Sequence, residues 1–242
     1  MEQSNKHLYN TTLSKIKFSI KRFGLLHLIT KPIRTILAPL IINFSKKDSF
    51  IFNGKHYNYF YHRYNITWAN ERFVEVPICK EMIDKEKGTI LEVGNVLSHY
   101  YPPSWVILDK FEKGKGVINQ DIINFKPGKK FDLIVTISTL EHVGYDDNSG
   151  NSEEKIIASV ENLKNNCLKR KGKLVITVPV GYNPSMDRII KENKLKLAKE
   201  SFMKKINGKT WKEVSKEEAM KCSYGKPFLY ANALMIGEYI KS

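Results

Sequence analysis

Residues 89–95 read TILEVGN, a short apolar run that ends in an acidic residue, a glycine and an amide. The side chains of Ile90, Leu91 and Val93 are typical of a strand that is buried on both faces of a parallel sheet. Gly94 allows the backbone to turn sharply and to approach a ligand closely. The segment therefore predicts a buried parallel strand with a ligand-facing turn at its carboxyl end.

Four more apolar runs follow and have the character of further strands, at residues 105–109, 117–122, 131–138 and 173–179. The first ends at Asp109, the second contains Asp121 and Ile122, and the third ends at Ser138. Ligands of open α/β sheets bind at the carboxyl ends of the strands, and a carboxylate at that edge can accept both hydroxyls of a ribose. The pattern therefore predicts a nucleoside-binding site at one edge of the sheet.

In this order, the Glu-x-Gly turn, the acid after strand two, the Asp after strand three and the FDLI strand four resemble the class I S-adenosylmethionine-dependent methyltransferases, over residues 71–240. The resemblance implies an α/β fold with a Rossmann-like doubly wound sheet, mostly parallel with an antiparallel last strand at 228–240. It also implies S-adenosylmethionine as the cofactor. By this resemblance the cofactor-binding residues are Glu92, Gly94, Asp109, Asp121, Ile122 and Ser138.

The resemblance also assigns parts of the cofactor to these residues. Gly94, with Glu92 nearby, lies against the methionine moiety, and Asp109 binds the ribose. Asp121 contacts the adenine amino group while Ile122 packs on the base. The chain departs from the family because it keeps only the first glycine of the usual Glu-x-Gly-x-Gly-x-Gly turn. This departure motivates an alternative hypothesis, a non-catalytic scaffold that has retained the methyltransferase fold.

The segment just beyond strand four, residues 138–147, carries the candidate catalytic groups. Methyl transfer to a hydroxyl needs an acceptor held in line and benefits from a base that removes its proton. His142 is the first candidate because its unperturbed pKa is near neutrality. Glu141 can orient His142, act as an alternative base or cap the following helix. Together with Asp146 and Asp147 these residues show no specific metal spacing, so we predict no metal.

The acceptor is suggested by the aromatic segment at residues 57–72, which mixes rings with hydrogen-bonding side chains. Such a mixture suits a sugar or a nucleotide, although the alternation of Tyr57, Tyr59 and Tyr61 equally fits a strand that packs on the core. No Asn-Pro-Pro-Tyr or Pro-Cys motif follows strand four, which favours an oxygen acceptor. The candidate substrate contacts are Tyr61, Arg63, Arg72, Tyr182, Asn183 and Arg188.

We therefore expect an O-methyltransferase that acts on a sugar hydroxyl of a glycan or glycolipid precursor. This choice rests on the aromatic segment, on the N-terminal segment and on a general resemblance to glycan-pathway methyltransferases. The alternative acceptor is RNA, which the formal net charge of +15 supports. Of these alternatives, we favour a small-molecule or glycan acceptor over nucleic acid.

The N-terminal segment has its own character, because residues 1–50 contain nine Lys or Arg against two acids. Between residues 18 and 44 basic side chains are mixed with apolar runs that are too short to cross a bilayer. Such a helical segment either lies on an anionic membrane surface or packs on the catalytic domain. The expected division is a basic amphipathic extension over residues 1–56 and a methyltransferase domain over residues 57–242. Within that domain, the strongly basic residues 191–205 are expected to form a solvated helix face.

The three cysteines, Cys79, Cys167 and Cys222, are far apart in the sequence and form no Cys-x-x-Cys pair. Neither a disulfide framework nor a thiolate zinc site is supported by this pattern. A reducing cytoplasm fits best, with the enzyme at the inner membrane face if the basic extension binds lipid.

Overall fold

A computed structural model describes residues 32–33, 35–45, 48–146 and 150–242. The part of the predicted N-terminal extension before residue 32 lies outside them. Within the described residues the strands are β1 (Ser49–Phe52), β2 (Lys55–Asn58), β3 (Ile90–Val93), β4 (Val106–Leu108), β5 (Val117–Ile118), β6 (Phe131–Ile137), β7 (Leu168–Pro179), β8 (Lys199–Lys205), β9 (Trp211–Val214) and β10 (Ala233–Ile240). The helices are α1 (Ala38–Ser45), α2 (Arg72–Lys85), α3 (Ser152–Asn162), α4 (Pro184–Lys191) and α5 (Lys216–Ala219).

Eight strands form the central sheet, in the order β5-β4-β3-β6-β7-β10-β8-β9. The strands from β5 to β7 are parallel, and β10 runs antiparallel between β7 and β8. In the register, Val93 at the end of β3 lies opposite Leu108 of β4 and Thr136 of β6. The predicted class, a Rossmann-like mostly parallel sheet with an antiparallel last strand, is confirmed.

The central sheet is buried on both faces, as the alternation along β6 shows. Leu133, Val135 and Ile137 belong to a core shared with α2 and the β1–β2 hairpin, whereas Ile134 belongs to the core shared with α3 and α4. Successive side chains of a strand point to opposite faces. The carboxyl edge of the parallel strands therefore lies between two helical layers.

The chain after α4 departs from the sequence prediction. We expected the basic residues 191–205 to form a solvated helix face, but α4 ends at Lys191 and residues 199–205 form β8. Phe202 and Met203 are buried in this strand, which pairs with β10 on one side and β9 on the other. Sheet pairing and burial thus outweigh the lysine content, and the sheet extends beyond the strands we predicted.

The expected division at residue 56 falls inside β2, the second strand of the β1–β2 hairpin. Phe50 and Phe52 of β1 are buried, and the ring of Phe50 stacks on Tyr59 with centroids 5.0 Å apart. Farther toward the N-terminus, Ala38 of α1 is also buried in this core. The hairpin and one face of α1 thus pack with the α/β core.

We expect Phe52→Ala to lower the free energy of unfolding of the whole core by roughly 3–5 kcal/mol, because it removes a fully buried ring. Phe52 is 2% exposed, whereas its neighbour Ile51 is 49% exposed. Ile51→Ala is therefore the matched control and should change stability little. The measurement is urea unfolding followed by tryptophan fluorescence. An unchanged transition in Phe52→Ala would mean that the hairpin is independent of the core.

Candidate functional site

A cavity of about 640 Å³ opens at the carboxyl ends of β3, β4, β5 and β6. Its size is typical of a small-molecule site, and its position is where ligands bind in open α/β sheets. Seven residues predicted from the sequence lie on its wall: Arg72, Gly94, Asp109, Asp121, Ile122, Ser138 and His142. The structure thus brings together candidates from both the cofactor and the acceptor sets.

The turn after β3 requires a glycine for two reasons. Gly94 has φ of +83°, a left-handed conformation that side chains disfavour. A Cβ atom at this position would also lie 2.0 Å from Oγ1 of Thr139. The Gly94 amide donates to the carbonyl of Leu108 at 2.8 Å, which joins the turn to the end of β4. The single glycine that the chain retains is therefore the one at which two strand ends meet.

Glu92 lies beneath this turn rather than on the cavity wall. Its Oε1 accepts the backbone amides of Val96 (2.8 Å) and Leu97 (2.6 Å), and its Oε2 accepts Nε1 of Trp105 (2.6 Å). Burial raises the pKa of Glu92, while these three donors oppose that shift. Glu92 thus fixes the short helical turn between β3 and β4, and it acts on the cavity through the backbone.

Asp109 lies on the wall at the end of β4 and is held by the backbone. Its carboxylate accepts the amides of Asn95 (3.0 Å), Phe111 (2.8 Å) and Glu112 (2.7 Å). A carboxylate offers about four acceptor positions, so capacity for a ligand remains. Glu112 is a second acid on this wall, and its Oε1 lies 2.9 Å from both Nδ2 of Asn95 and Nε2 of His99. Sequence reasoning missed Glu112, although an Asp-x-x-Glu pattern after a strand was a usable signal.

The wall beyond β5 combines an apolar side chain with a paired acid. Ile122 is buried, and its carbonyl accepts Nδ2 of Asn162 at 2.7 Å. The Oδ1 of Asp121 accepts the amide of Ile123 at 3.0 Å, and its Oδ2 lies 2.7 Å from Nζ of Lys110. This part of the cavity presents an apolar side chain beside hydrogen-bonding groups.

A buried carboxylate on α2 organises the opposite wall. Glu75 is fully buried, forms an ion pair with Arg72, and accepts the hydroxyls of Ser138 and Thr177, each at 2.8 Å. Arg72 lies on the cavity wall, so Glu75 fixes a cation there. Sequence reasoning missed Glu75. The i,i+3 spacing to Arg72 was the only local signal, because the hydroxyl partners are distant in the sequence.

His142 lies on the wall in the short turn after β6, and its ring is held from one side. Its Nδ1 is 2.5 Å from Oδ2 of Asp146, and the Tyr182 hydroxyl donates to the same carboxylate oxygen at 2.9 Å. Burial lowers the pKa of His142, but the carboxylates of Glu141 and Asp146 outweigh this effect and raise it. In this arrangement Nδ1 of His142 carries a proton and donates it in a hydrogen bond to Asp146, and Nε2 is the nitrogen that can take up a further proton.

Glu141 is a buried carboxyl group beside His142. Its Oε1 lies 3.5 Å from Nε2 of His142, and no partner for its Oε2 occurs among the described residues. Burial raises the pKa of Glu141 to about 7, against the opposing effect of His142. Within the same residues no group of three or more potential metal ligands converges. Asp147, the fourth residue of the sequence cluster, lies outside the described part of the chain.

Five predicted substrate contacts lie outside the cavity wall: Tyr61, Arg63, Tyr182, Asn183 and Arg188. Tyr61 donates to Asp48 at 3.0 Å in the packing of the aromatic segment. Asn183 is buried because it caps α4, and Arg188 is exposed and pairs with Glu153 at 3.2 Å. These positions give Asn183 a structural role, and the middle of the aromatic segment, Tyr64 and Asn65, lies on the wall.

The sheet order and the cavity define a Rossmann-like α/β protein with an open cavity at the carboxyl edge of its parallel strands. No family model matches the sequence, and no curated protein matches it. The N-methyltransferase NodS from Bradyrhizobium japonicum WM9, in complex with S-adenosyl-L-homocysteine, is similar with a TM-score of 0.47, 11% identity, and coverage of 71% of this chain and 87% of that chain.

Two further solved structures show similarity of the same kind. A methyltransferase from Thermotoga maritima, described as a possible histamine N-methyltransferase, gives a TM-score of 0.42 at 11% identity over 71% of this chain and 91% of that chain. A TehB-like methyltransferase from Corynebacterium glutamicum ATCC 13032 Kitasato gives a TM-score of 0.40 at 13% identity, over 67% of this chain and 85% of that chain. At these identities the reaction of this chain has to follow from its own cavity.

The raised pKa of Glu141 predicts how stability depends on pH. The folded chain binds the Glu141 proton more tightly than the unfolded chain does. This proton therefore contributes fully to the free energy of unfolding below the ordinary carboxyl pKa, and its contribution is lost as the pH rises through about 7. Glu141→Gln cannot titrate. We expect it to flatten the pH dependence and to raise the free energy of unfolding at about pH 8 by up to about 3 kcal/mol.

Urea unfolding at about pH 5 and about pH 8 measures this difference. The control is Glu154→Gln, the same substitution at an exposed glutamate in the first turn of α3. Wild-type pH dependence in Glu141→Gln would show that Glu141 is ionised in the folded protein at neutral pH.

Proposed function

We propose that this chain is an S-adenosylmethionine-dependent methyltransferase that methylates a sugar hydroxyl of a glycan or glycolipid precursor. The observation that carries the proposal is the cavity itself. It combines a glycine turn between two strand ends, two carboxylates after β4, an apolar wall at Ile122, and the His142–Asp146 pair. These are the groups that binding a charged nucleoside and deprotonating a hydroxyl require.

The cofactor fits the donor set along β3, β4 and β5. Asp109 and Glu112 are the acids that would accept the ribose hydroxyls, because they lie together where the backbone turns after β4. Ile122 would cover one face of the adenine, with Asp121 at its edge. The roles that the sequence predicted for Asp109, Asp121 and Ile122 are kept in this proposal, and Glu112 is added to them.

Arg72 is the group that would bind the carboxylate of the methionine moiety. Its guanidinium is fixed by the buried Glu75 and faces the same cavity as the Gly94 turn. A guanidinium donates two parallel hydrogen bonds to a carboxylate, which fixes the orientation of the bound group. Bound in this way, the cofactor supplies an electrophilic methyl group on a sulfonium centre.

His142 would take the proton of the acceptor hydroxyl at Nε2 as the oxygen–carbon bond forms and the carbon–sulfur bond breaks. Asp146 holds Nδ1 of the ring and stabilises the imidazolium that results, and Tyr182 positions Asp146 through its hydroxyl. Glu141 adds a carboxyl group near the same ring. Tyr182 thus serves the reaction as a positioning residue.

The acceptor would occupy the part of the cavity that is bounded by the aromatic segment. Tyr64 is exposed, and its ring stacks on His99 with centroids 4.7 Å apart. Tyr100 and Asn65 lie on the same wall. An aromatic face can stack on the apolar face of a sugar ring while polar neighbours bind its hydroxyls. This chemistry supports a sugar as the acceptor.

A second candidate acceptor is RNA, because the formal net charge is +15 and an exposed tyrosine borders the cavity. Binding of RNA would weaken steeply as the salt concentration rises.

We also propose a cytoplasmic setting close to the inner membrane face, where glycolipid precursors are accessible. The free cysteines Cys79 and Cys167, both buried, are consistent with a reducing compartment.

The proposed base gives a direct test. We expect His142→Ala to lower kcat by about 10²–10⁴-fold with radiolabelled cofactor and a panel of sugar, RNA and amine acceptors, because proton removal by a positioned base contributes about this factor. Affinity for S-adenosylhomocysteine should remain at the wild-type level. Asp146→Asn should lower kcat less and shift the pH profile.

The control is Arg188→Ala, which changes an exposed side chain outside the cavity. It should leave kcat at the wild-type level. Wild-type turnover in His142→Ala would overturn the assignment of the base. Transfer only to RNA, lost at high salt, would replace the sugar with the second candidate.

A further inference from the structure

The apolar surface near the N-terminus is concentrated on one helical segment. Of the twelve large hydrophobic residues that are exposed in the described part of the chain, five lie between residues 33 and 44. They are Ile33, Ile36, Leu37, Leu40 and Phe44. Contiguous apolar surface on a protein marks an interaction site more often than scattered exposed residues do.

These five residues form one face, which we call the apolar ridge. Residues 32–33 and 35–36 are helical and lead into α1. The amide of Leu37 donates to Ile33 and the amide of Ile41 donates to Leu37, so the helical phase continues through the segment. At about 100° per residue the five side chains fall within roughly 100° of the helix circumference.

The opposite face of α1 is already in use. Ala38 is fully buried in the core, and Ile41 and Ile42 pack against the same core. The helix therefore has one apolar face that docks on the protein and a second apolar face that points outward. Packing on the core accounts for Ala38, Ile41 and Ile42 and leaves the apolar ridge unexplained.

The sequence around the apolar ridge is basic. In the sequence, Lys31, Arg34, Lys46 and Lys47 fall within or next to residues 33–44, and no acid occurs between residues 31 and 47. Apolar side chains with flanking lysine and arginine are the composition that inserts at the boundary of head groups and acyl chains in anionic membranes. Among the described residues, no helix is both long and apolar enough to cross a bilayer.

We infer that the apolar ridge is a membrane-docking surface that inserts its five side chains into an anionic lipid interface while α1 stays docked on the core. The inference does not depend on the proposed methyl transfer, since it rests on exposure, helical phase and charge alone. It locates the predicted membrane contact on one face of the helical segment at residues 33–44. A catalytic domain docked in this way is held against the lipid surface.

The test is flotation of the full chain with vesicles of equal parts phosphatidylglycerol and phosphatidylcholine, beside vesicles of phosphatidylcholine alone. We expect binding to the anionic vesicles that weakens with added salt. Leu40→Glu combined with Phe44→Glu should weaken this binding by about a hundredfold, because two inserted apolar groups become charged.

Ile240→Glu is the matched control for Leu40→Glu, because the two positions are 57% and 58% exposed. The control should bind vesicles as the wild type does. Equal binding by the double variant would overturn the inference. So would a concentration-dependent dimer that the double variant abolishes, or a lowered melting temperature in the double variant without vesicle binding by the wild type. These two results would assign the apolar ridge to a second copy or to the chain itself.

Discussion

The ion pair between Arg72 and Glu75 is the interaction on which the cavity depends most. Glu75 is fully buried, and a buried carboxylate is tolerated only when it is paired and hydrogen-bonded. Its partners come from α2, from the end of β6 and from β7. One carboxylate thus fixes the first helix of the α/β core on the sheet and sets a cation on the cavity wall.

The turn after β3 contains a single glycine and is stabilised by the acids around it. Gly94 provides the left-handed conformation, and Glu92 binds the amides of the residues that follow. Asp109 then holds Asn95 from the neighbouring strand end. Glu92 and Asp109, the two acids at the strand ends, therefore both stabilise the turn through backbone hydrogen bonds. Asp109 also lies on the cavity wall.

The parallel strands β3 to β7 were predictable because short apolar runs are local features, whereas β1, β8 and β9 were not predicted. The surroundings of the cavity were only partly predictable. The bonds from Glu75 to Ser138 and Thr177 join residues 63 and 102 positions apart, which no local pattern reveals. Conversely, the lysine content of residues 191–205 predicts a solvated helix face, whereas the burial of Phe202 and Met203 depends on the pairing of β8 with β10, which the local sequence does not specify.

Calorimetric titration with S-adenosylmethionine tests directly whether the cavity binds the cofactor, with Asp109→Ala and the exposed-site control Asp84→Ala measured beside the wild type. We expect micromolar binding to the wild type and to Asp84→Ala, and a loss of binding in Asp109→Ala with the melting transition still cooperative. Absence of binding to folded wild-type protein, or equal affinity in Asp109→Ala, would contradict the proposed cofactor site.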